Sequence, residues 1–555
     1  MQTLKEKLAL SLRHRDPEKG TPPEKFVITF ELVPARASRS EVIDKTLHFA
    51  MEAAAHGRIT ALSITDNAGG HPALTPTALG KEIKALGMEP VIHFSCKDKN
   101  RNLIESQLFE LDRAGLNTLL VITGDYPRYG FMGRAKPVYD LDSVLVLGMI
   151  QEIRTGLVIN KKAPGGGVRL DPMDFHAGCV VSPFKATEAE QVQQYLKLKR
   201  KITAGADFII TQMGFDIRKY HELRLLLDLL GLDTPLIGTV FIPDARLATV
   251  IRKGIIPGCT MPKRLLDTIV QQGSSAAGAL DGMIQRAAAM TAMLCGMGFQ
   301  GAHLSGPGLE YGHIRQVIEL ADEMCPEWQR FVPEFLFPEE KQFHLFGRDE
   351  KTGLNRKPVL AKKGNTQKLH GINIKGDGKP LHKAFSPAFL LGKAVHHLFF
   401  ETGGPLFRTA CRLLTSIRSE RTIRIVAALE YFFKGILYDC YRCGDCYLSD
   451  LELLCPQSQC AKRLVNGPCG GSRDGWCEVW PGQKRCLYVR QYERMRRRRE
   501  LLLEEARILP PRDWGLDRSS SWINFFSGRD HHHLEIPSVL QKTGKGKKNR
   551  NRNRP

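Results

Sequence analysis

No apolar run in this 555-residue sequence reaches the roughly 18 to 20 residues that crossing a bilayer requires, so membrane insertion is not expected. The opening stretch MQTLKEKLALSLRHRDPEKG carries acids and has no sustained apolar core. That argues against a secretory signal and for a cytoplasmic location. No GxGxxG follows the first strand-like run, so the usual sign of an open dinucleotide-binding sheet is missing. Acids are outnumbered, 59 against 80 Lys and Arg, which gives a formal charge of +21. Two stretches contribute conspicuously: Arg496 to Arg499, and the acid-free run from Lys542 to Arg554. The second is a short tail with Gly and Asn, read as solvated, so nucleic acid is not an expected partner.

What is present points to a soluble chain of two or three domains. The apolar fraction of 42% and the charged fraction of 25% are ordinary for globular proteins, and the length exceeds one core. From about residue 26 to 330, short apolar runs alternate with amphipathic ones. Strands are expected at Phe26–Glu31, Ile59–Thr65, Glu89–Ser95, Thr118–Thr123, Ala177–Ser182, Asp207–Gln212, Pro235–Val240 and Gly301–Leu304, with helices between them. Runs such as TLLVIT and DFIITQ are apolar over most of their length, as strands covered on both faces should be. Eight such strands in about 300 residues predict an α/β fold, a (β/α)8 TIM barrel. Polar residues recur at strand ends, where barrel enzymes place their chemistry, and this favours the barrel over an open sheet.

Beyond residue 330 the pattern changes. Residues 331–384 read as a linker or excursion, because Asp349–Lys383 is rich in Lys, Gly and Asn. Residues 385–508 read as a smaller, mostly helical, cysteine-rich domain whose last helix is expected over Val489–Ile508. Residues 1–25 form an N-terminal extension, and 509–555 a C-terminal one that ends in the basic tail.

Several strand-end side chains are candidates for function. Glu31 closes an apolar strand, where a carboxylate must be solvated, paired or used. It is read either as an ion-pair partner of Arg36 or as an acid whose pKa burial has raised. Thr123–Gly124–Asp125 offers a hydroxyl and a carboxylate around a glycine that permits a tight turn. The Gln212 amide could pair with a flat ring bearing donors and acceptors. His93 is either a cofactor contact or a satisfied strand histidine.

Fourteen cysteines are present, eight of them between Cys440 and Cys486: residues 440, 443, 446, 455, 460, 469, 477 and 486. In a large cytoplasmic chain such a cluster favours metal over disulfides. Cys440, Cys443 and Cys446 are two residues apart, so their thiolates can converge on one centre. With Cys455 they fit either a 4Fe–4S iron–sulfur cluster or tetrahedral zinc. The other four, Cys460, Cys469, Cys477 and Cys486, could build a second site or be buried thiols.

FELVPAR, SITDNAGG, HFSCKDKNR, LLVITGDYP and FIITQMGFD, in that order over roughly residues 26 to 325, resemble the strand-end signatures of methylenetetrahydrofolate reductases. The resemblance implies a flavin-dependent barrel that reduces 5,10-methylenetetrahydrofolate to 5-methyltetrahydrofolate. It implies that Glu31 protonates N10, that Asp125 contacts the pterin near the flavin, and that Gln212 bonds the folate. It places Thr65, His93, Thr123 and Ser182 on the flavin side. Two departures stand out. Thr123 replaces an arginine common in the family, and Val181–Ser182–Pro183 replaces an alanine-tyrosine-proline run. Both lie near the flavin, so FAD, FMN and no flavin all stay open.

Residues 385 to 495 resemble the C-terminal domain or small subunit found with some bacterial members, most specifically in LEYFFKGILYDCYRCGDC and NGPCGGSRDGWCEV. This implies an electron-transfer protein as a partner beside the tetrahydrofolate substrate. Further copies of the same chain are also expected as partners. NAD(P)H is a candidate donor that an iron–sulfur centre would make optional. The alternatives are another tetrahydrofolate-dependent one-carbon transformation and a non-catalytic docking protein for a redox complex.

Overall fold

The computed structural model describes residues 2–13, 26–159, 167–273, 275–337, 342–363, 366–374, 386–495, 498 and 500–533. The basic run from Lys542 to Arg554 and three of the four arginines at 496–499 lie outside these residues.

Eight parallel strands form a closed barrel: β1 (Val27–Leu32), β2 (Ala61–Ile64), β3 (Glu89–Ser95), β4 (Thr118–Ile122), β5 (His176–Val181), β6 (Phe208–Thr211), β7 (Leu236–Phe241) and β8 (Gly301–Ser305). Neighbours follow chain order, and the ring closes where Val27 of β1 stands opposite Gly301 of β8. The fold is therefore a (β/α)8 barrel with a helical, cysteine-rich region after it. Helix starts after the strands carry side-chain caps, among them Ser40, Thr75, Asn100, Asp142, Thr187 and Asp216, each accepting from a backbone amide in the first turn. Among the described residues no helix is long and apolar enough to cross a membrane.

Three features of the fold go beyond the sequence pattern. The N-terminal helix Leu4–Arg13 plugs the lower end of the barrel. Its buried Leu4 and Leu8 pack with Val27, Val91, Leu120 and Phe208 from inside the ring. The segment read as a linker is partly docked: Leu345, Phe346, Leu354, Ile372 and Ile374 join the barrel's own core, and Arg218 Nε donates to Asn355 Oδ1 at 2.9 Å. The helix expected over Val489–Ile508 is shorter than that, and a further helix follows at Ser521–Phe526. The former spans Leu487–Arg494 and ends with Met495 in extended backbone.

The helix Glu188–Thr203 is buried on more than its barrel side. Glu190, Gln191, Gln193, Gln194, Lys197 and Lys201 are buried together with its apolar residues. The cysteine-rich region causes this by lying across the helix: Tyr492 OH donates to Glu188 Oε1 at 2.9 Å, and the amide of Gly475 donates to Glu190 Oε1 at 3.1 Å. Tyr492, Leu502 and Ile508 belong to the same apolar core as the barrel. On the far side, the helices Pro387–Phe399, Phe407–Ser416 and Glu420–Tyr438 leave Leu391, Leu413, Phe432, Phe433 and Ile436 exposed.

Candidate active site

The C-terminal ends of the strands open into a cavity of about 640 Å³. Glu31, Thr65, His93, Thr123, Asp125, Ser182 and Gln212 all line it, so every barrel residue singled out from sequence meets in one space. The order of the strands explains this. Each side chain sits at or just past the end of its own strand, and ring closure turns eight separate ends into one rim.

Glu31 departs from the expectation of a raised pKa. Burial, the largest single influence, does push it upward. The His303 ring, by hydrogen bonding and charge, together with His93 and the Ser305 hydroxyl, outweighs burial and holds the carboxyl at about 2. Ser305 Oγ donates to Glu31 Oε1 at 2.8 Å, and His303 Nε2 lies 3.8 Å from Oε2. The physical reason for the correction is that β8 supplies two polar partners on the neighbouring strand. His303 is itself anchored, with Nδ1 2.8 Å from Thr29 Oγ1. No partnership with Arg36 appears in the contacts of Glu31 described here.

Asp125 Oδ2 accepts from the amide of Gly69 at 2.9 Å, which ties the loop after β4 to the loop after β2. Gly124 is needed for this turn. Its φ is +84°, and a Cβ there would stand 2.1 Å from Ser95 Oγ. Gln212 Oε1 accepts from the amide of Met213 at 3.0 Å. Thr123 Oγ1 lies 3.4 Å from Ser143 Oγ, so its hydroxyl has a partner within the protein.

Other polar atoms at the cavity wall have none. Thr65 Oγ1, His93 Nε2, Ser182 Oγ and Gln194 Nε2 are buried without a hydrogen-bond partner. Buried polar atoms are normally satisfied, so four at one cavity mark a surface shaped for a polar ligand. Burial also lowers the His93 pKa to about 4, which keeps that ring neutral at ordinary pH and able to accept or donate. These atoms fit the heteroatom edge of a flavin.

The roof of the cavity belongs to the other domain. Lys462, Pro468, Cys469, Gly470, Gly471, Glu478 and Val479 complete the lining. Lys462 Nζ donates to Gly124 O at 2.9 Å and pairs with the buried carboxylate of Glu478. Arg128 Nη2 donates to Val479 O at 2.7 Å, Lys185 Nζ to Ser472 O at 2.8 Å, and Lys197 Nζ to Pro468 O at 3.0 Å. His303 and Lys462 were not singled out from the sequence. A histidine inside the last strand and a lysine between two cysteines carry no signal of their own.

The eight clustered cysteines sort into two sets. Cys440, Cys443, Cys446 and Cys455 surround one small interior space, and Cys460, Cys469, Cys477 and Cys486 surround another. The second set abuts the strand-end cavity, because Lys462, Pro468, Cys469, Glu478 and Val479 line both. Four thiolates per set suit a resident metal group. Among the described residues no three of these thiols lie within 4.8 Å of one another. A tetrahedral zinc with bonds of about 2.3 Å would bring its sulfurs to about 3.8 Å apart.

Comparison with known proteins matches this architecture. A family described as "Methylenetetrahydrofolate reductase" matches residues 18–310, more than half of the chain. The chain belongs to the methylenetetrahydrofolate reductase family. A second family, "Methylene-tetrahydrofolate reductase C terminal", matches residues 421–515 and so covers both cysteine sets. The 5,10-methylenetetrahydrofolate reductase of Salmonella typhimurium is 26% identical over 213 residues, 38% of this chain and 62% of that protein. Methylenetetrahydrofolate reductase 1 of Schizosaccharomyces pombe is 22% identical over 272 residues, 47% of this chain and 41% of its own length. The matched regions thus span less than two thirds of these relatives.

Proposed function

We propose that this methylenetetrahydrofolate reductase family member reduces the methylene group of 5,10-methylenetetrahydrofolate to a methyl group at the roofed mouth of the barrel. The reading rests mainly on one observation: Glu31, Asp125 and Gln212 share a cavity with the unpartnered polar atoms of Thr65, His93 and Ser182. When bound, a flavin supplies hydride to the methylene carbon, and the protein must supply one proton to N10. Thr65, His93 and Ser182 would hold the flavin's polar edge. Gln212 would pair with the pterin, and Asp125 would face both rings. Thr123, already bonded to Ser143, would contribute shape rather than a hydrogen bond.

Glu31 is the proton donor in this reading. In the ligand-free cavity His303, His93 and Ser305 hold the carboxyl ionised, so it must take up a proton from solvent before it can pass one to N10. His303, 3.8 Å away, lies where a replacement proton could be held. The roof made by Lys462 and Glu478 excludes water while the reduction occurs.

We further assign an iron–sulfur cluster to each cysteine set, because C-x2-C-x2-C followed by Cys455–Pro456 suits cubane ligation and the other four thiols gather about a second interior space. The set built on Cys469 shares a wall with the cavity, which supports electron entry through it one at a time and leaves NAD(P)H unnecessary. An electron-transfer protein would meet the exposed apolar face of the helices 387–438, whose last member runs into Cys440.

The test is an anaerobic assay of the full chain with methylenetetrahydrofolate, driven either by reduced viologen or by NADH, with 5-methyltetrahydrofolate measured by mass spectrometry. Methyl product with viologen, lost in Glu31→Gln while flavin content is kept, is the expected result. No product with either donor would sink the reductase reading. Equal rates with NADH in wild type and in Cys469→Ser would sink the electron route.

A further inference from the structure

The C-terminal turn His531–His533 brings two histidines against Asp450, at a place that neither the barrel chemistry nor the eight cysteines use. His531 Nε2 and His532 Nε2 each lie 3.2 Å from the same carboxylate oxygen, Asp450 Oδ2. The three ligand atoms are all within 4.8 Å of one another. The side chains of Asp450 and His531 are 3% and 0% exposed. The opposite nitrogen of each ring also faces a carboxylate: His531 Nδ1 is 2.5 Å from Asp445 Oδ1, and His532 Nδ1 is 2.9 Å from Asp530 Oδ2.

Hydrogen-bond inventory limits how this cluster can exist. A carboxylate only accepts, so a ring nitrogen facing one must carry hydrogen. Without a metal, imidazolium rings would be balanced by Asp445, Asp450 and Asp530, and Ser449 Oγ stands 3.2 Å from His532 Nε2. The two rings lie 4.1 Å apart between centroids, at 32°, and His531 stacks on Tyr447 at 4.2 Å on its other side. The convergence of both Nε2 atoms on one carboxylate oxygen also fits a divalent ion: each Nε2 gives its lone pair to the ion, each ring is neutral, and each Nδ1–H donates outward. Histidine ligands oriented by a carboxylate on the far nitrogen are the common pattern of protein zinc sites.

We propose that Asp450, His531 and His532 bind one divalent ion of the zinc class, oriented by Asp445 and Asp530, which clips the C-terminal turn over the Cys440–Cys455 site. Imidazole with carboxylate suits zinc better than magnesium or calcium. Ser449 Oγ also stands at this point, beside His532 Nε2. Around this point the C-terminal segment folds back on the cysteine loop: Asn524 Nδ2 donates to Gly444 O at 2.8 Å, and the amide of Asp513 to Asp445 Oδ2 at 3.0 Å. The ion would fasten the end of that segment. The inference stands apart from the reductase reading, and its zinc count rests on the iron–sulfur assignment of the thiols made above.

The experiment uses the full chain purified anaerobically, stripped of labile metal with a chelator and titrated with Zn²⁺ alone. Iron, sulfide and zinc are counted in the same samples. One zinc per chain, with zinc-edge absorption showing only nitrogen and oxygen ligands at about 2.0–2.1 Å, is expected. His532→Gln should lose that zinc, and Asp530→Asn should weaken it about 10- to 100-fold, with iron and sulfide unchanged. No bound zinc, zinc coordinated by sulfur, or undiminished binding in both variants would overturn the site. The spectrum of the wild-type protein decides even where a variant does not fold.

Discussion

Lys462, two residues beyond Cys460, donates its Nζ to the backbone carbonyl of Gly124 at 2.9 Å, so a side chain of the cysteine-rich domain holds the barrel turn that presents Asp125. Its other partner, Glu478, is buried in the same roof, with a side chain 7% exposed. Lys462→Ala would leave that carboxylate buried and unpaired, at a cost of about 3–5 kcal/mol. The expected outcome is a lower unfolding temperature, together with a loss of activity larger than the loss of bound flavin. Adding Glu478→Gln should restore much of the stability. A thermal melt unmoved by Lys462→Ala would show that the roof is not held there.

Glu31 gives a pH dependence with a definite sign. Its carboxyl titrates at about 2 in the folded chain, against an unfolded value near 4.5. Its contribution to stability is therefore present in full above about pH 4.5 and is lost as pH falls toward 2. The shift corresponds to at most about 3 kcal/mol. Denaturant titrations of wild type and Glu31→Gln should differ most near neutral pH, lose about half the gap by about pH 3 and converge as pH falls toward 2. A gap that stays constant from pH 7 to pH 3 would mean that His303 and Ser305 do not stabilise the carboxylate.

Ser182 separates a cofactor contact from a structural one. Its hydroxyl is buried with no partner in the protein, so Ser182→Ala breaks no internal hydrogen bond. Stability of the flavin-free chain should hold or rise slightly. Flavin affinity should drop about 2- to 10-fold, the worth of one hydrogen bond. Fluorescence titration with FMN and with FAD measures this and tells which flavin binds better. Unchanged affinity for both would remove Ser182 from the cofactor site.

The two thiol sets should fail separately. If each holds a four-iron cluster, anaerobic preparations carry about eight iron per chain. Cys443→Ser and Cys477→Ser should each bring that to about four. The second variant should also slow viologen-driven reduction far more, because its set borders the active-site cavity. Zinc in place of iron, or loss of all metal from a single substitution, would contradict the assignment.

The barrel was legible because its strands are buried on both faces and so read as apolar runs. Each expected strand overlaps an observed one, with ends shifted by at most a residue or two. The polar rim was legible for the same reason: Glu31, Asp125 and Gln212 interrupt runs that otherwise have no reason to be polar. What escaped notice depends on contacts distant in sequence. His303 acts through Glu31, 272 positions earlier, and the helix Glu188–Thr203 looks in sequence like an ordinary solvated helix. Its glutamines and lysines are buried only because another domain arrives there. The low apolar content of Asp349–Lys383 likewise hid the few residues that dock, such as Leu354 and Ile372.

The lysines that join the two domains choose unusual partners. Lys185, Lys197, Lys199 and Lys462 all donate to main-chain oxygens of the cysteine-rich domain or of the facing barrel turn. Such a joint recognises the path of a loop rather than the identity of its side chains. The loop from Gly467 to Ser472 keeps that path around Cys469, with Gly467 and Gly470 both at positive φ. On the metal assignment proposed above, emptying the thiol set would free the path of that loop and loosen the seam without a single contact residue being changed.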